Sequence, residues 1–254
     1  MRRDEIKAIA EAAGEFVREA GTLVKGKNSV LRTKARGDVV TQGDLDIERY
    51  IIDRIRTRFP EHGIISEERG EVEGASEYVW VLDPIDGTKY YASGLPFYAI
   101  SLALRIGNTL VLGIVYSPEL DMFFSASSGL GATLNGASIR CSEDKKLEDS
   151  YICLEIPSRF SRAEEISSGM EKMRKLIDRS MRVRIIGVSS LGLCFCAMSA
   201  FDGFVNLGNS WNEWDIAGGQ FIAVEAGMKV SLAARKIIAG PPLLHDQLVK
   251  LVLP

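Results

Sequence analysis

Apolar residues recur at helical spacing near the start of the chain, at Ile6, Ile9, Ala13, Phe16, Ala20 and Leu23, and again at Ile47, Tyr50, Ile51 and Ile55. One apolar stripe per helical turn predicts two amphipathic helices in the first third. Between them "KGKNSVLRTKARGDVVTQGD" carries Lys25, Lys27, Arg32, Lys34 and Arg36 among Gly and Asn breakers, which predicts an exposed connection with room for a short hairpin. Beyond residue 62 the pattern changes to β-branched and aromatic runs: "HGIIS", "YVWVLD", "FYAISLALRIG", "TLVLGIVYS", "MFFSAS" and "YICLEI". Turn residues such as Gly107-Asn108 separate them, so they predict strands, two of them joined as a hairpin. Helical patterns return over 163–178, in "SSLGLCFCAMSAF", from about Glu213 to Ala226, and in "LLHDQLVKLV", with "RVRIIG" a strand between the first two.

Antiparallel strands flanked by helices, without repeats or low-complexity linkers, predict a layered α/β or α+β protein of two fused lobes. The most polar stretch of the second half, "CSEDKKLEDS", places the boundary near it, giving an N-terminal lobe over 1–145 and a C-terminal lobe over 146–254.

Composition narrows the function classes. With 254 residues, 46% apolar and 26% charged, the chain can build a large core, and a net charge of −3 gives no general attraction to nucleic acid or acidic membranes. Cys141, Cys153, Cys194 and Cys196 lack C-x-x-C spacing and are expected reduced, which points to the cytoplasm. Asp4, Glu5, Glu11 and Glu15 interrupt any apolar signal region after the basic start, and no apolar run is long enough to span a bilayer.

The chemistry gathers around "VLDPIDGTKYY". Asp83 ends an apolar strand, Pro84 removes a ladder donor so that the chain turns, and Asp86 follows three positions later. Gly87 can adopt angles closed to other residues and admit an anion to main-chain N–H groups, and Thr88 can cap a following helix. Clustered carboxylates need a compensating charge, and a hard divalent cation such as magnesium prefers oxygen ligands. With only His62 and His245 present, both read as surface or supporting residues, neither a His-rich zinc site nor a serine triad is expected. Further acids stand at other element ends: Glu67 and Glu68 in "IISEERG", Asp215 in "WNEWDIAGG", Asp38 and Asp44 in "GDVVTQGD". Each also has a structural reading, Asp44 and Asp215 as N-caps, Glu67 and Glu68 as surface charge, Asp83-Pro84 as a turn former. Trp211 and Trp214 read as packing residues.

In order and spacing, "GDVVTQGD", "IISEERG", "DPIDGT" and "WDIAGG" resemble the inositol monophosphatase family, over essentially the whole chain. The resemblance implies the layered αβαβα sugar-phosphatase fold and hydrolysis of inositol 1-phosphate, fructose 1,6-bisphosphate or both. It is similar in length to the compact archaeal and bacterial members. It implies two or three magnesium ions per site, with manganese as a substitute, held by Glu67, Asp83, the carbonyl of Ile85, Asp86 and Asp215. Gly87 and Thr88 would receive the phosphate, with Asp86 and Asp215 also facing the substrate, while Asp44 and Thr88, together with Glu67, would orient or deprotonate the attacking water. "RIIGVSS" supplies Arg184 and Ser189 as candidate sugar or second-phosphate contacts, Arg184 being equally readable as a strand residue paired with a surface acid. The resemblance further implies a homodimer acting on a small phosphorylated sugar or polyol. Relatives acting on 3'-phosphoadenosine 5'-phosphate or histidinol phosphate, and a non-catalytic metal-dependent regulator of the same fold, are the alternatives. Lys89-Tyr90-Tyr91 after the Gly-Thr, and the absence in "NLGNSWNEWD" of the acid that inositol-specific members use, depart from the family pattern.

Overall fold

The computed structural model describes residues 3–24, 29–33, 39–208 and 211–253. Helices α1 (Arg3–Gly21) and α2 (Gln42–Arg58) form where the apolar stripes predict them, burying Ile6, Ile9, Ala13 and Phe16 from one and Ile47, Ile51, Ile52 and Ile55 from the other. Strands β1 (Val30–Thr33) and β2 (Val39–Thr41) pair antiparallel between them. Lys25, Lys27, Lys34, Arg36 and Asp38 lie outside the described residues.

The first sheet comprises β3 (Gly63–Ser66), β4 (Gly70–Val72), β5 (Tyr78–Asp86), β6 (Ala99–Ile106), β7 (Thr109–Ser117), β8 (Met122–Ser127), β9 (Gly131–Leu134) and β10 (Ala137–Ile139), in the order β10-β9-β8-β7-β6-β5-β3-β4. A short helix, α3 (Thr88–Ala92), follows β5. The second sheet contains β11 (Tyr151–Glu155), β12 (Arg182–Ile185), β13 (Gly203–Asn206), β14 (Lys229–Ala233) and β15 (Lys236–Gly240), ordered β12-β11-β13-β15-β14. The remaining helices are α4 (Ala163–Arg179), α5 (Ser189–Ala197), α6 (Glu213–Glu225) and α7 (Pro242–Val252).

These elements stack in five layers. Helices α1 and α2 cover one face of the first sheet, α5 and α6 lie between the two sheets, and α4 and α7 pack outside the second. The strands are not all antiparallel as the sequence pattern suggests. β3 runs parallel to β5, and β11 runs parallel to both β12 and β13. The second sheet mixes directions because α4 and α5 carry the chain back across it, and such crossovers return a strand in the same sense.

Helix α6 fits its central layer through "AGG". A Cβ on Gly218 would sit 2.7 Å from Ser101 Oγ, and one on Gly219 2.7 Å from the carbonyl of Ser190. Hydrogen there lets α6 touch β6 on one side and α5 on the other.

His62 is half-buried and His245 is buried. His62 stacks between Phe59 and Tyr78, its Nδ1 accepting the Trp80 indole N–H at 3.0 Å, and His245 is buried beside Ser231. Both are drawn inward because a ring nitrogen finds a partner there. The cysteines are free thiols, with Cys153, Cys194 and Cys196 buried. Among the described residues no helix is long and apolar enough to cross a membrane.

Candidate active site

β5 builds the centre. Asp83 pairs with Ser101 and Asp86 with Ala99 on β6, so β5 carries one extra residue between the two acids and bulges there, at the proline that cannot donate to the ladder. Asp83 Oδ1 accepts the N–H of Ile85 at 3.0 Å, which fixes its carboxylate within the bulge. Gly87 then takes φ 92°, in the left-handed region. A Cβ on it would lie 2.6 Å from the carbonyl of Phe97, so only glycine can turn the chain into α3.

Glu67 arrives from the neighbouring strand. Ser66 pairs in parallel register with Leu82, and the N–H of Glu67 donates to Leu82 O at 3.3 Å, which brings Glu67 alongside Asp83. Asp215 comes from the other half of the chain, in the first turn of α6. The sequence reads Asp44 and Asp215 as N-caps, but they are the third residues of their helices, with Thr41 and Asn212 as the caps. Each closes a capping box by accepting the cap's own N–H, at 2.7 Å for Asp44 and 2.6 Å for Asp215.

A cavity of about 1260 Å³ is lined by Glu67, Asp83, Ile85, Asp86, Gly87, Thr88 and Asp215, among others. Asp44 and Ser189 are set behind this lining. Thr88 Oγ1 donates to Ile85 O at 2.8 Å and lies 3.4 Å from Asp44 Oδ1. The Ser189 hydroxyl donates to Glu155 Oε2 at 2.8 Å. Arg184 does not join the cavity wall: it sits exposed on the edge strand β12, its guanidinium on the carbonyl of Val183. Glu68 is not a free surface charge either, since its side chain is 3% exposed and pairs with Arg32 at 3.1 Å. Trp211 and Trp214 pack against apolar clusters, as expected of them.

The acids are costly to charge. Burial first, then the charges of Glu67, Asp86, Asp215 and Asp44, push the Asp83 carboxyl well above the ordinary aspartate range. Asp86 is pushed up to about 7 by burial and by Glu155 and Glu67, against hydrogen bonding from Ser190. Asp44 is raised to about 6, again chiefly by burial, with the Thr41 hydrogen bonds opposing. Such mutual repulsion in one cavity fits an oxygen-preferring cation better than an empty pocket. Among the described residues no three acidic, His or Cys side chains stand close enough together to hold a metal ion as they are placed.

Several residues escape the sequence reading. Arg159, Arg162 and Arg235 line the same cavity, together with Lys89, and Arg162 pairs there with Glu165 at 2.8 Å. Arg235 reaches it from the β14–β15 turn, where Ala234 and Arg235 hold φ values of 49° and 57° without glycine. Glu155, a further acid close to the site, ends the apolar strand β11, and its only sequence signal is a charge closing an apolar run.

The inositol monophosphatase family model matches residues 2–252. The chain belongs to the inositol monophosphatase family. A fructose-1,6-bisphosphatase/inositol-1-monophosphatase of Aquifex aeolicus is 33% identical over 245 residues, covering 94% of this chain and 90% of that protein. The Nus factor SuhB of Pseudomonas aeruginosa is 36% identical over 197 residues, covering 76% of this chain and 72% of its own length. Among solved structures, an IMPase of Thermotoga maritima superposes with a TM-score of 0.81 at 31% identity, covering 94% of each chain. The suhB protein of Bartonella henselae superposes with a TM-score of 0.89 at 27% identity, covering 97% of this chain and 98% of that one. The layered fold of this inositol monophosphatase family member is thus that of solved members, and the family is generally metal-dependent.

Proposed function

We propose that the chain is a magnesium-dependent phosphate monoesterase acting on small sugar or polyol phosphates, inositol 1-phosphate and fructose 1,6-bisphosphate among them, with manganese able to substitute. The observation that carries this reading is the meeting of Glu67, Asp83, Asp86 and Asp215, from three separate elements, with Gly87 and Thr88 on one cavity.

Phosphate monoesters hydrolyse extremely slowly in water, so a catalyst has to align a nucleophile and neutralise charge on the transferring group. Glu67, Asp83, Asp86, Asp215 and the carbonyl of Ile85 would hold the cations, which when bound supply Lewis-acid stabilisation of the phosphoryl charge and a more acidic attacking water. The main-chain N–H groups of Gly87 and Thr88 would receive phosphoryl oxygens. Asp44, behind Thr88, would accept the Thr88 hydroxyl proton in place of the Ile85 carbonyl that this hydroxyl now meets at 2.8 Å, so that the threonine oxygen accepts from the attacking water, with Glu67 as the other proton acceptor. Lys89, Arg159, Arg162 and Arg235 support an anionic ester, since they line the same cavity as the acids. The protein would act in the cytoplasm, as a homodimer, with residues 1–145 as the lobe that carries most of the metal ligands and 146–254 as the lobe that completes the active site.

Phosphate release from inositol 1-phosphate, fructose 1,6-bisphosphate and 3'-phosphoadenosine 5'-phosphate, each with magnesium and with chelator, tests the reading. Release that needs the metal supports it, and no release from any ester overturns it. The Pseudomonas relative's name, Nus factor, favours a second reading as a non-hydrolytic regulatory partner. That reading is left standing if every ester fails.

A further inference from the structure

Glu155 is a half-buried acid, with one carboxylate oxygen fully enclosed, that the proposed chemistry does not use. It stands at the end of β11, and its Oε2 accepts two side-chain donors, Ser189 Oγ at 2.8 Å and Asn206 Nδ2 at 2.6 Å. Its Oε1 is buried and, among the described residues, has no hydrogen-bond partner. A carboxylate enclosed in this way is expensive, and a strand end could have closed with an apolar residue instead.

What the two donors hold gives it a purpose. Ser189 is the first residue of α5, and the next backbone N–H, that of Ser190, donates to Asp86 Oδ2 at 2.8 Å. Asn206 ends β13, and its Oδ1 accepts the N–H of Gly208 at 2.7 Å, at the start of the segment that leads to Asn212 and Asp215. The main chain repeats the tie, because Leu207 N–H donates to the Glu155 carbonyl at 2.9 Å. Ser189, Ser190 and Asn206 are buried, so the donor side of these bonds is shielded from bulk water.

We infer that Glu155 is a positioning residue: through Ser189 it anchors the start of α5, so that the Ser190 amide holds Asp86 turned for cation binding. This rests on the proposed reading that Asp86 is a cation ligand. Burial, with the charge of Asp215 adding to it, pushes the Glu155 carboxyl up to about 7, consistent with an acid packed close behind the ligands. Supporting groups of this kind commonly set metal affinity by about 10- to 100-fold without touching the ion.

The test uses the full chain with Glu155→Ala, Glu155→Gln and Ser189→Ala. In chelator, amide exchange at Ser190 is measured. Without substrate, magnesium affinity is measured by calorimetry. Glu155→Ala and Ser189→Ala should both accelerate Ser190 exchange and weaken magnesium binding about 10-fold or more, with KM for the ester unchanged once magnesium saturates. Glu155→Gln, which keeps one acceptor oxygen, should recover part of both. If Glu155→Ala fails to fold, the other two variants carry the same expectations. Unchanged Ser190 exchange in Ser189→Ala overturns the inference, as does magnesium affinity within about twofold of the parent in both soluble variants. A parent protein that binds no divalent cation defeats the metal reading itself, and the exchange measurement in chelator still decides whether Glu155 anchors α5.

Discussion

Asp83 and Asp86 stand three positions apart on β5, while the residues they face on β6, Ser101 and Ala99, stand only two apart. The surplus residue releases the strand from its regular alternation between the two acids. Asp83 is thereby fixed by the Ile85 amide, and Asp86 is left to meet Ser190 from the central layer. Replacing Asp83 with Asn should abolish phosphate release while preserving the circular dichroism spectrum. Its thermal midpoint in chelator should rise, because one repelling charge is gone. Near-normal turnover in that variant would remove Asp83 from the chemistry.

Thr88→Ala should lower kcat on the order of 100-fold or more with little change in KM, since the hydroxyl serves the water rather than ground-state binding. Thr88→Ser, which keeps the oxygen that bonds Ile85 and Asp44, should retain most of the rate. Steady-state kinetics at saturating magnesium separates the two.

Gly87→Ala places a Cβ against the Phe97 carbonyl at a backbone angle that L-residues rarely adopt. Loss of more than about 1 kcal/mol in urea unfolding is expected, together with loss of activity. An unchanged midpoint would mean that the turn relaxes without consequence.

Metal-free protein should be more stable in mild acid than in mild base. Asp44, Asp86 and Glu155 have carboxyl groups raised to about 6, about 7 and about 7. A group raised on folding contributes stability below its unfolded value, and that contribution is lost as pH rises through the folded one. The thermal midpoint in chelator should therefore fall between about pH 5 and pH 8. Saturating magnesium should flatten that slope, because the cation compensates the charges that burial resists.

Arg159→Ala and Arg235→Ala should each raise KM for a multiply charged ester about 10-fold while leaving a singly phosphorylated polyol nearly unaffected. Equal effects on both esters would assign these residues to general attraction.

Much of this architecture is written in local periodicity. The stripes of α1 and α2 and the long runs that became β5 to β8 are legible because each is long enough for one period to prevail. β4, β9 and β10 are three or four residues long and flanked by glycines, so they exist only because a neighbouring strand pairs with them. The acids at the cavity were visible as motifs. Their cationic counterpart was not, because Arg159, Arg162 and Arg235 lie far from the acids in sequence and only the folded chain unites them. Arg184 illustrates the reverse: a position beside a motif stays outside the cavity because its strand is the edge of the second sheet.

Helices α5 and α6 belong by sequence to the later half of the molecule, yet their glycines and apolar residues nestle on the sheet made by the earlier half. A break near residue 145 would strip that sheet of its inner lining and separate Asp215 from the three acids it joins. Neither fragment would keep all four acids, so the cavity exists only in the undivided chain.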